Sequence, residues 1–132
     1  MRRRCLKSVD EFYRGRNVRV FRLDRDGTIA RLRERARDLL EGRPDVVEVR
    51  LFGSLARGDA HPGSDADLFV ILRDGAGPFL DRLAPLARGF GGVGVGCDVI
   101  AFTESEALAC RTRGDAFARA VFDEGLVLAS RR

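Results

Sequence analysis

The stretch from Val47 to Leu72 constrains this chain more than any other. Val47, Val49 and Leu51 alternate with Glu48 and Arg50, the two-residue period of a half-buried strand. That strand breaks at Phe52-Gly53-Ser54, and Ser54 to Arg57 reads as the opening of a short helix. The loop Asp59-Ala60-His61-Pro62-Gly63-Ser64 comes next, and Asp65 to Leu72 reads as a second strand with a strongly apolar end. Side chains two apart on a strand share a face, so Asp65 and Asp67 project together, with Phe69 and Ile71 continuing that face inward. A chain built this way needs a sheet whose strand ends carry polar chemistry and whose middle is core.

The rest of the sequence supplies the other layers. Residues 1–17 are basic and are expected to carry less structure than the remainder of the chain. Val18 to Leu23 reads as a strand, and Asp24-Arg25-Asp26-Gly27 as a turn. Ile29, Leu32, Ala36, Leu39 and Leu40 recur at three- and four-residue spacing, which predicts an amphipathic helix stopped by Gly42-Arg43-Pro44. Gly75 to Arg88 reads as helical around Leu80, Leu83 and Leu86, with Pro85 expected to kink or restart it. Beyond a glycine-rich hinge, Val93 to Phe102 reads as a strand. Thr103-x-x-Glu106 is a capping box that opens a further helix. A last helix over about Asp115 to Glu124 ends at Gly125, and Leu126 to Ala129 closes as a short strand. Interleaved strands and helices give an α/β (α+β) domain, a small mixed sheet with helices mainly on one face. The expected organisation is an N-terminal basic extension, residues 1–27, with an extra strand, followed by one domain over 28–132.

Two carboxylates at one strand end repel each other, and a hard divalent cation is the simplest relief; Mg²⁺ is commonly held by one or two carboxylates together with substrate phosphates. Asp65 and Asp67 therefore predict a metal site. Gly53-Ser54 lies where a strand turns into a helix, so main-chain N–H groups and the Ser54 hydroxyl can face an anion, and glycine lets a phosphate approach closely. Arg57, one turn on, either adds a charge-assisted phosphate contact or pairs with Asp59. Asp98 sits among apolar residues and glycines in its strand, where a merely structural acid is out of place unless it faces water from an edge.

The run Gly53-Ser54-x-Ala56-Arg57-Gly58, then Ser64-Asp65-x-Asp67-Leu68-x-Val70, then Asp98 between hydrophobic residues resembles the DNA polymerase beta-type nucleotidyltransferase superfamily, most closely its minimal nucleotidyltransferase, antitoxin-like branch. The resemblance covers roughly residues 28–129. It implies that Gly53 and Ser54 bind the terminal phosphates of a nucleoside triphosphate such as ATP, and that Asp65, Asp67 and Asp98 hold two Mg²⁺ ions. It further implies transfer of a nucleoside monophosphate, AMP in the first instance, to a hydroxyl, with Asp98 the candidate to take the acceptor's proton. Larger relatives carry a helical second domain for the acceptor; the 132 residues are not expected to hold one, and the acceptor surface is expected to be missing or borrowed. In the minimal branch the resemblance implies a helical HEPN-type partner, neutralised by nucleotide transfer or, as the alternative reading, by complex formation without turnover; homo- or hetero-oligomers are both open.

Composition limits the other classes. Hydrophobic residues are 45% and charged residues 33%, an ordinary globular balance that excludes disorder and fibrous repeats. The longest uncharged run, Gly89 to Cys97, is far short of a span of about 20 apolar residues, so no membrane segment is expected, and no secretory signal pattern accompanies the basic N-terminus. The expected location is the cytoplasm. Net charge is +4, with 24 basic residues of which only Lys7 is lysine. No nucleic-acid-binding pattern accompanies them, so solvated arginines are favoured over a dedicated polyanion patch. Cys5, Cys97 and Cys110 lack paired spacing and are read as reduced packing residues. His61, the single histidine, is read as a loop bystander. Phe12-Tyr13 is read as packing rather than base-stacking, and Phe117, Val121 and Phe122 as a core stripe.

Overall fold

The computed structural model describes residues 9–13, 18–21 and 24–132. Strands β1 (Val9–Tyr13) and β2 (Val18–Phe21) pair antiparallel as a two-stranded sheet. Strand β1 is one that the sequence pattern does not single out, while β2 falls on the predicted strand. Cys5 and the side chains of Phe12 and Tyr13 lie outside the described residues.

The Asp24–Gly27 segment opens a helix instead of forming a free turn. Asp24 is the N-cap of α1 (Arg25–Gly42), its carboxylate accepting from the Gly27 amide at 3.1 Å. Turn-type residues and N-cap residues are the same few side chains, and here the amphipathic run behind them decides between the two. Ile29, Leu32, Ala36 and Leu40 form the buried stripe. The helix stops where the sequence predicts, the Arg43 amide reaching back to the Leu39 carbonyl at 2.9 Å.

Four strands, β3 (Val46–Phe52), β4 (Ala66–Leu72), β5 (Cys97–Thr103) and β6 (Leu126–Ser130), form the main sheet in the order β5-β4-β3-β6. Strand β3 runs antiparallel to β4 and β6, and β4 runs parallel to β5. The parallel pair requires a crossover, which contains α3 (Phe79–Arg88). The period of two then sorts the core. Leu68, Val70 and Leu72 join Val49, Leu51, Ala101 and Leu128 on a face covered by α1, α3 and the short helix α2 (Ser54–Arg57). Phe69 and Ile71 point to the other face, with Val47, Ala107 of α4 (Glu104–Arg113), and Phe117, Val121 and Phe122. Helices α1, α2 and α3 thus lie on one face, and the opposite face takes α4, α5 (Ala116–Ala118) and the π-helical turn Arg119–Asp123, so helices cover both faces of the sheet where the sequence leads one to expect them mainly on one. The Phe117–Val121–Phe122 stripe is core, with Phe69 in edge-on contact with Phe122 at 5.6 Å between centroids.

Two boundaries differ from expectation because of glycine. Helix α3 begins at Phe79, not Gly75, since Gly75 and Gly77 adopt φ of 93° and 85°. It runs through Pro85 to Arg88. Strand β5 begins at Cys97, not Val93, because Gly92 and Gly94 have φ of 75° and 97°, and extended pairing cannot pass through such residues. Val93 and Val95 are nevertheless buried in the core. The capping box is present in both directions: Thr103 accepts from the Glu106 amide at 3.2 Å, and Glu106 accepts from the Thr103 amide at 2.9 Å. Among the described residues, no helix is long and apolar enough to cross a membrane.

The arginines have a use the sequence does not disclose. Many donate to main-chain carbonyls rather than to acids: Arg31 to Val93 at 2.8 Å, Arg33 to Val127 at 3.0 Å, Arg73 to Pro44 at 3.0 Å, and Arg131 to Val46 at 2.7 Å and to Leu40 and Arg43. The buried Arg82 goes furthest. Its guanidinium donates to Gly77 at 3.0 and 2.8 Å, to Ala101 at 3.0 Å and to Glu106 at 2.6 and 3.4 Å, which occupies all five N–H groups and fastens α3 and the segment before it to the edge strand β5.

Candidate active site

The β4–β5 register decides the site. Asp67 and Asp98 are direct cross-strand partners in the parallel ladder, so two acids about thirty residues apart stand side by side on one sheet face. Asp65 lies just before β4, on the Asp67 face. Asp65 and Asp98 are exposed and Asp67 is half-buried. Burial raises the Asp67 pKa above the ordinary carboxylate range, and the charges of Asp98 and then Asp65 raise it further, with Arg57 opposing. The three carboxylates therefore share one field. The same field, after burial, pushes the Cys97 thiol up to about 12. Cys97 and Cys110 are both free thiols, as packing residues are expected to be.

On the other side of Asp67 lies the glycine turn. Phe52 is the cross-strand partner of Asp67, and Gly53 comes directly after it as the N-cap of α2 with φ 78° and ψ −157°, a region reserved for glycine. A Cβ at residue 53 would run into the Asp67 carboxylate. Gly53 thus brings bare main chain against the acid. Ser54, half-buried, opens α2. The Gly53 carbonyl accepts from the Arg57 amide at 3.0 Å, and the Ser54 carbonyl from the Gly58 and Asp59 amides at 2.9 and 3.1 Å, which turns the chain tightly.

For Arg57 the structure shows the pairing alternative: Nε lies 3.3 Å from Asp59 Oδ2, with both side chains largely exposed. A pair of that kind holds its members weakly, and the Arg57 charge still reaches Asp67. His61 is exposed in the loop, its Nδ1 3.1 Å from the Pro62 carbonyl, and serves the loop's own turn. Gly96 is a site residue that the sequence pattern does not single out. A Cβ there would meet Asp65 Oδ1 at 2.6 Å, so Gly96 gives Asp65 its room as Gly53 does for Asp67. Its position two residues before Asp98 is the signal that could have marked it.

All the candidate donors are carboxylate oxygens, the set that suits a hard divalent cation, and their mutual repulsion is what a cation relieves. Among the described residues, no three His, Cys, Asp or Glu side chains form a ready-made metal cage. The site fits a cation through its donor chemistry and charge, with the acids on one face and the glycine turn against them.

Comparison with known proteins identifies the family and the fold. The chain matches the family described as "Nucleotidyltransferase domain" over residues 29–116, which includes the glycine turn and all three acids. No curated protein matches the chain. Among solved structures, one similar to it is the 1.40 Å crystal structure of a proposed nucleotidyltransferase from Sulfolobus solfataricus, with a TM-score of 0.59 at 20% identity, covering 81% of this chain and 84% of that one. Another is a toxin–antitoxin structure with AMP-PNP, with a TM-score of 0.52 at 20% identity, covering 83% of this chain and 76% of that one. At such identities the two structures speak for the fold, while the family match spans well over half of the sequence. The acids on β4 and β5, the glycine turn that abuts them and the match across both place this chain in the nucleotidyltransferase domain family.

Proposed function

We propose that this chain transfers a nucleoside monophosphate, AMP in the first instance, from a nucleoside triphosphate to a hydroxyl acceptor. The observation that carries this reading is the β4–β5 register, which sets Asp67 beside Asp98 with Asp65 on the same face and the bare main chain of Gly53 against the Asp67 carboxylate. Asp65, Asp67 and Asp98 would hold Mg²⁺, two ions by family resemblance. Bound divalent ions supply charge neutralisation for an in-line displacement at phosphorus. The chain's own residues do the rest. The Gly53-Ser54 turn receives the triphosphate's terminal oxygens through main-chain N–H groups and the Ser54 hydroxyl, and Arg57, loosely tied to Asp59, is free to swing onto them. Asp98, exposed on the edge strand, takes the proton of the attacking hydroxyl. The new bond forms between that oxygen and the α-phosphorus, and the bond to pyrophosphate breaks.

The acceptor in this proposal is a hydroxyl of a HEPN-type helical partner. The support is the minimal-branch resemblance, together with a similar fold in a toxin–antitoxin structure that contains AMP-PNP. The test is label transfer from α-³²P-ATP and γ-³²P-ATP in parallel, with Mg²⁺, using the host lysate and any neighbouring gene product as acceptors, and Asp65→Ala/Asp67→Ala as control. Label retained only from the α position, and lost in the control, is the expected result. Mg-ATP binding without transfer would favour a module that neutralises its partner by complex formation alone.

A further inference from the structure

We infer that Arg25, which lies outside the residues the family match covers, is a positioning residue for nucleotide binding: it clamps the short helix that carries the glycine turn. The inference rests on the reading of Gly53-Ser54 as the phosphate-binding turn. Helix α2 has only four residues, and a single helical turn has no stability of its own because its nucleation cost exceeds what one turn of hydrogen bonds returns. Something else must hold it. Its last carbonyls are among those left without partners inside a helix, and two consecutive ones, Leu55 and Ala56, are taken by Arg25, through Nε at 2.9 Å and Nη2 at 3.0 Å. One planar guanidinium spans both carbonyls, and its positive charge sits at the end of α2 where carbonyls converge. Leu55 and Ala56 are themselves buried against the core, so side chains anchor α2 from below while Arg25 fixes its far end. Arg25 is in turn fixed by its own place in the first turn of α1, directly after the Asp24 cap.

The clamp links α1 to the turn without touching a phosphate. Losing it frees α2 to fray, and the amides of Arg57, Gly58 and Asp59, which hold the turn closed through the Gly53 and Ser54 carbonyls, lose their protection first. The ordering must then be supplied by the nucleotide at the expense of affinity.

The experiment compares wild type, Arg25→Ala, Arg25→Lys and, as control, Arg33→Ala, whose guanidinium holds the Val127 carbonyl in β6 instead. ATP binding with Mg²⁺ is measured by calorimetry well below each variant's melting temperature, and amide hydrogen exchange is measured without nucleotide. Arg25→Ala is expected to weaken ATP binding about tenfold, the loss of two charged hydrogen bonds partly offset by water, with faster exchange confined to residues 57–59. Arg25→Lys, which reaches one carbonyl at a time, recovers part of both effects, and Arg33→Ala shows neither. Arg25→Ala that binds ATP as wild type does, or a weakening matched by Arg33→Ala, overturns the positioning role alone. A wild type that binds no ATP overturns the phosphate-binding reading of the turn and this inference with it, and the exchange data then still report whether the clamp holds α2.

Discussion

Gly53→Ala tests the backbone of the candidate site directly. Two costs can be separated. The first is conformational: at φ 78° and ψ −157° a residue with a Cβ is strained by about 1–3 kcal/mol. The second is steric: the new methyl would overlap the Asp67 carboxylate, with Asp67 Cγ and Cβ at 3.2 and 3.5 Å behind it. Because that carboxylate is the end of a half-buried side chain and can swing aside, the steric part is about 1 kcal/mol. The sum is a loss of about 2–4 kcal/mol. For a domain of this size each kcal/mol moves the melting temperature by about 3–5 °C, so a fall of about 6–20 °C is expected. Urea denaturation of Gly53→Ala, Asp67→Ala and the double variant closes a thermodynamic cycle in which Asp67→Ala removes the overlap and leaves the strain. A coupling of about 1 kcal/mol, with the greater part of the loss surviving in the double variant, is the expected result. Gly96→Ala supplies the contrast, since it crowds Asp65 at a position without positive φ. It should cost under about 1 kcal/mol while still impairing transfer. A Gly53→Ala protein within about 0.5 kcal/mol of wild type would refute the reasoning, because it would mean that residue 53 is not held in the glycine-only region.

The same geometry sets further outcomes. Arg82→Met strips partners from the Gly77 and Ala101 carbonyls and from Glu106, and should cost about 3 kcal/mol; Arg82→Lys should recover less than half in the same urea titration, and equal stability of the two variants would show that the five-donor fork is not what matters. The Glu106 carboxyl is held below its ordinary range first by its hydrogen bond to Arg82 and then by the Thr103 amide, so the folded protein takes up this proton less readily than the unfolded chain. The stabilisation is therefore complete above the unfolded pKa, about 4, and is lost as pH falls through the folded value; Glu106→Gln should flatten the stability profile below about pH 4. Asp67→Asn should raise the melting temperature in EDTA, since it removes a carboxylate that burial and two neighbouring acids disfavour, while abolishing both Mg²⁺-dependent stabilisation and transfer. Asp98→Asn should abolish label transfer to the acceptor, and unimpaired transfer would remove Asp98 from both its metal and its proton-accepting role.

The site is legible in the sequence to the extent that its chemistry coincides with local pattern. Asp65 and Asp67 emerge from a period of two within one strand, and Gly53-Ser54 from a strand that stops. That Asp98 stands beside Asp67 is a non-local fact of register, and residue type points to it only because an acid stands out in an otherwise apolar strand; its exposure on the edge strand β5 means that burial cost is not the reason it is there. Glycines obscure the boundaries. The Gly91 to Gly96 stretch contains valines that look like strand and are buried like strand, but the turns at Gly92 and Gly94 keep it out of the sheet. Asp24 reads as a turn residue because a cap and a turn use the same side chain. Arg25 leaves no trace, since its partners are main-chain carbonyls, which every residue has and no sequence pattern records.

That use of main-chain partners separates this protein's arginines from ordinary ion pairs. A guanidinium bound to a carboxylate loses its partner when acid protonates the carboxylate, whereas a carbonyl does not titrate and arginine keeps its charge at any pH a protein survives. The bonds from Arg25, Arg31, Arg33, Arg73 and Arg131 to the carbonyls of Leu55, Val93, Val127, Pro44 and Val46 therefore form a set of tethers blind to proton concentration. Among the described residues, many of the arginines that the sequence leads one to read as solvated are instead occupied in tying helices, loops and strands to one another, and acid that dissolves the carboxylate pairs leaves that lacing in place.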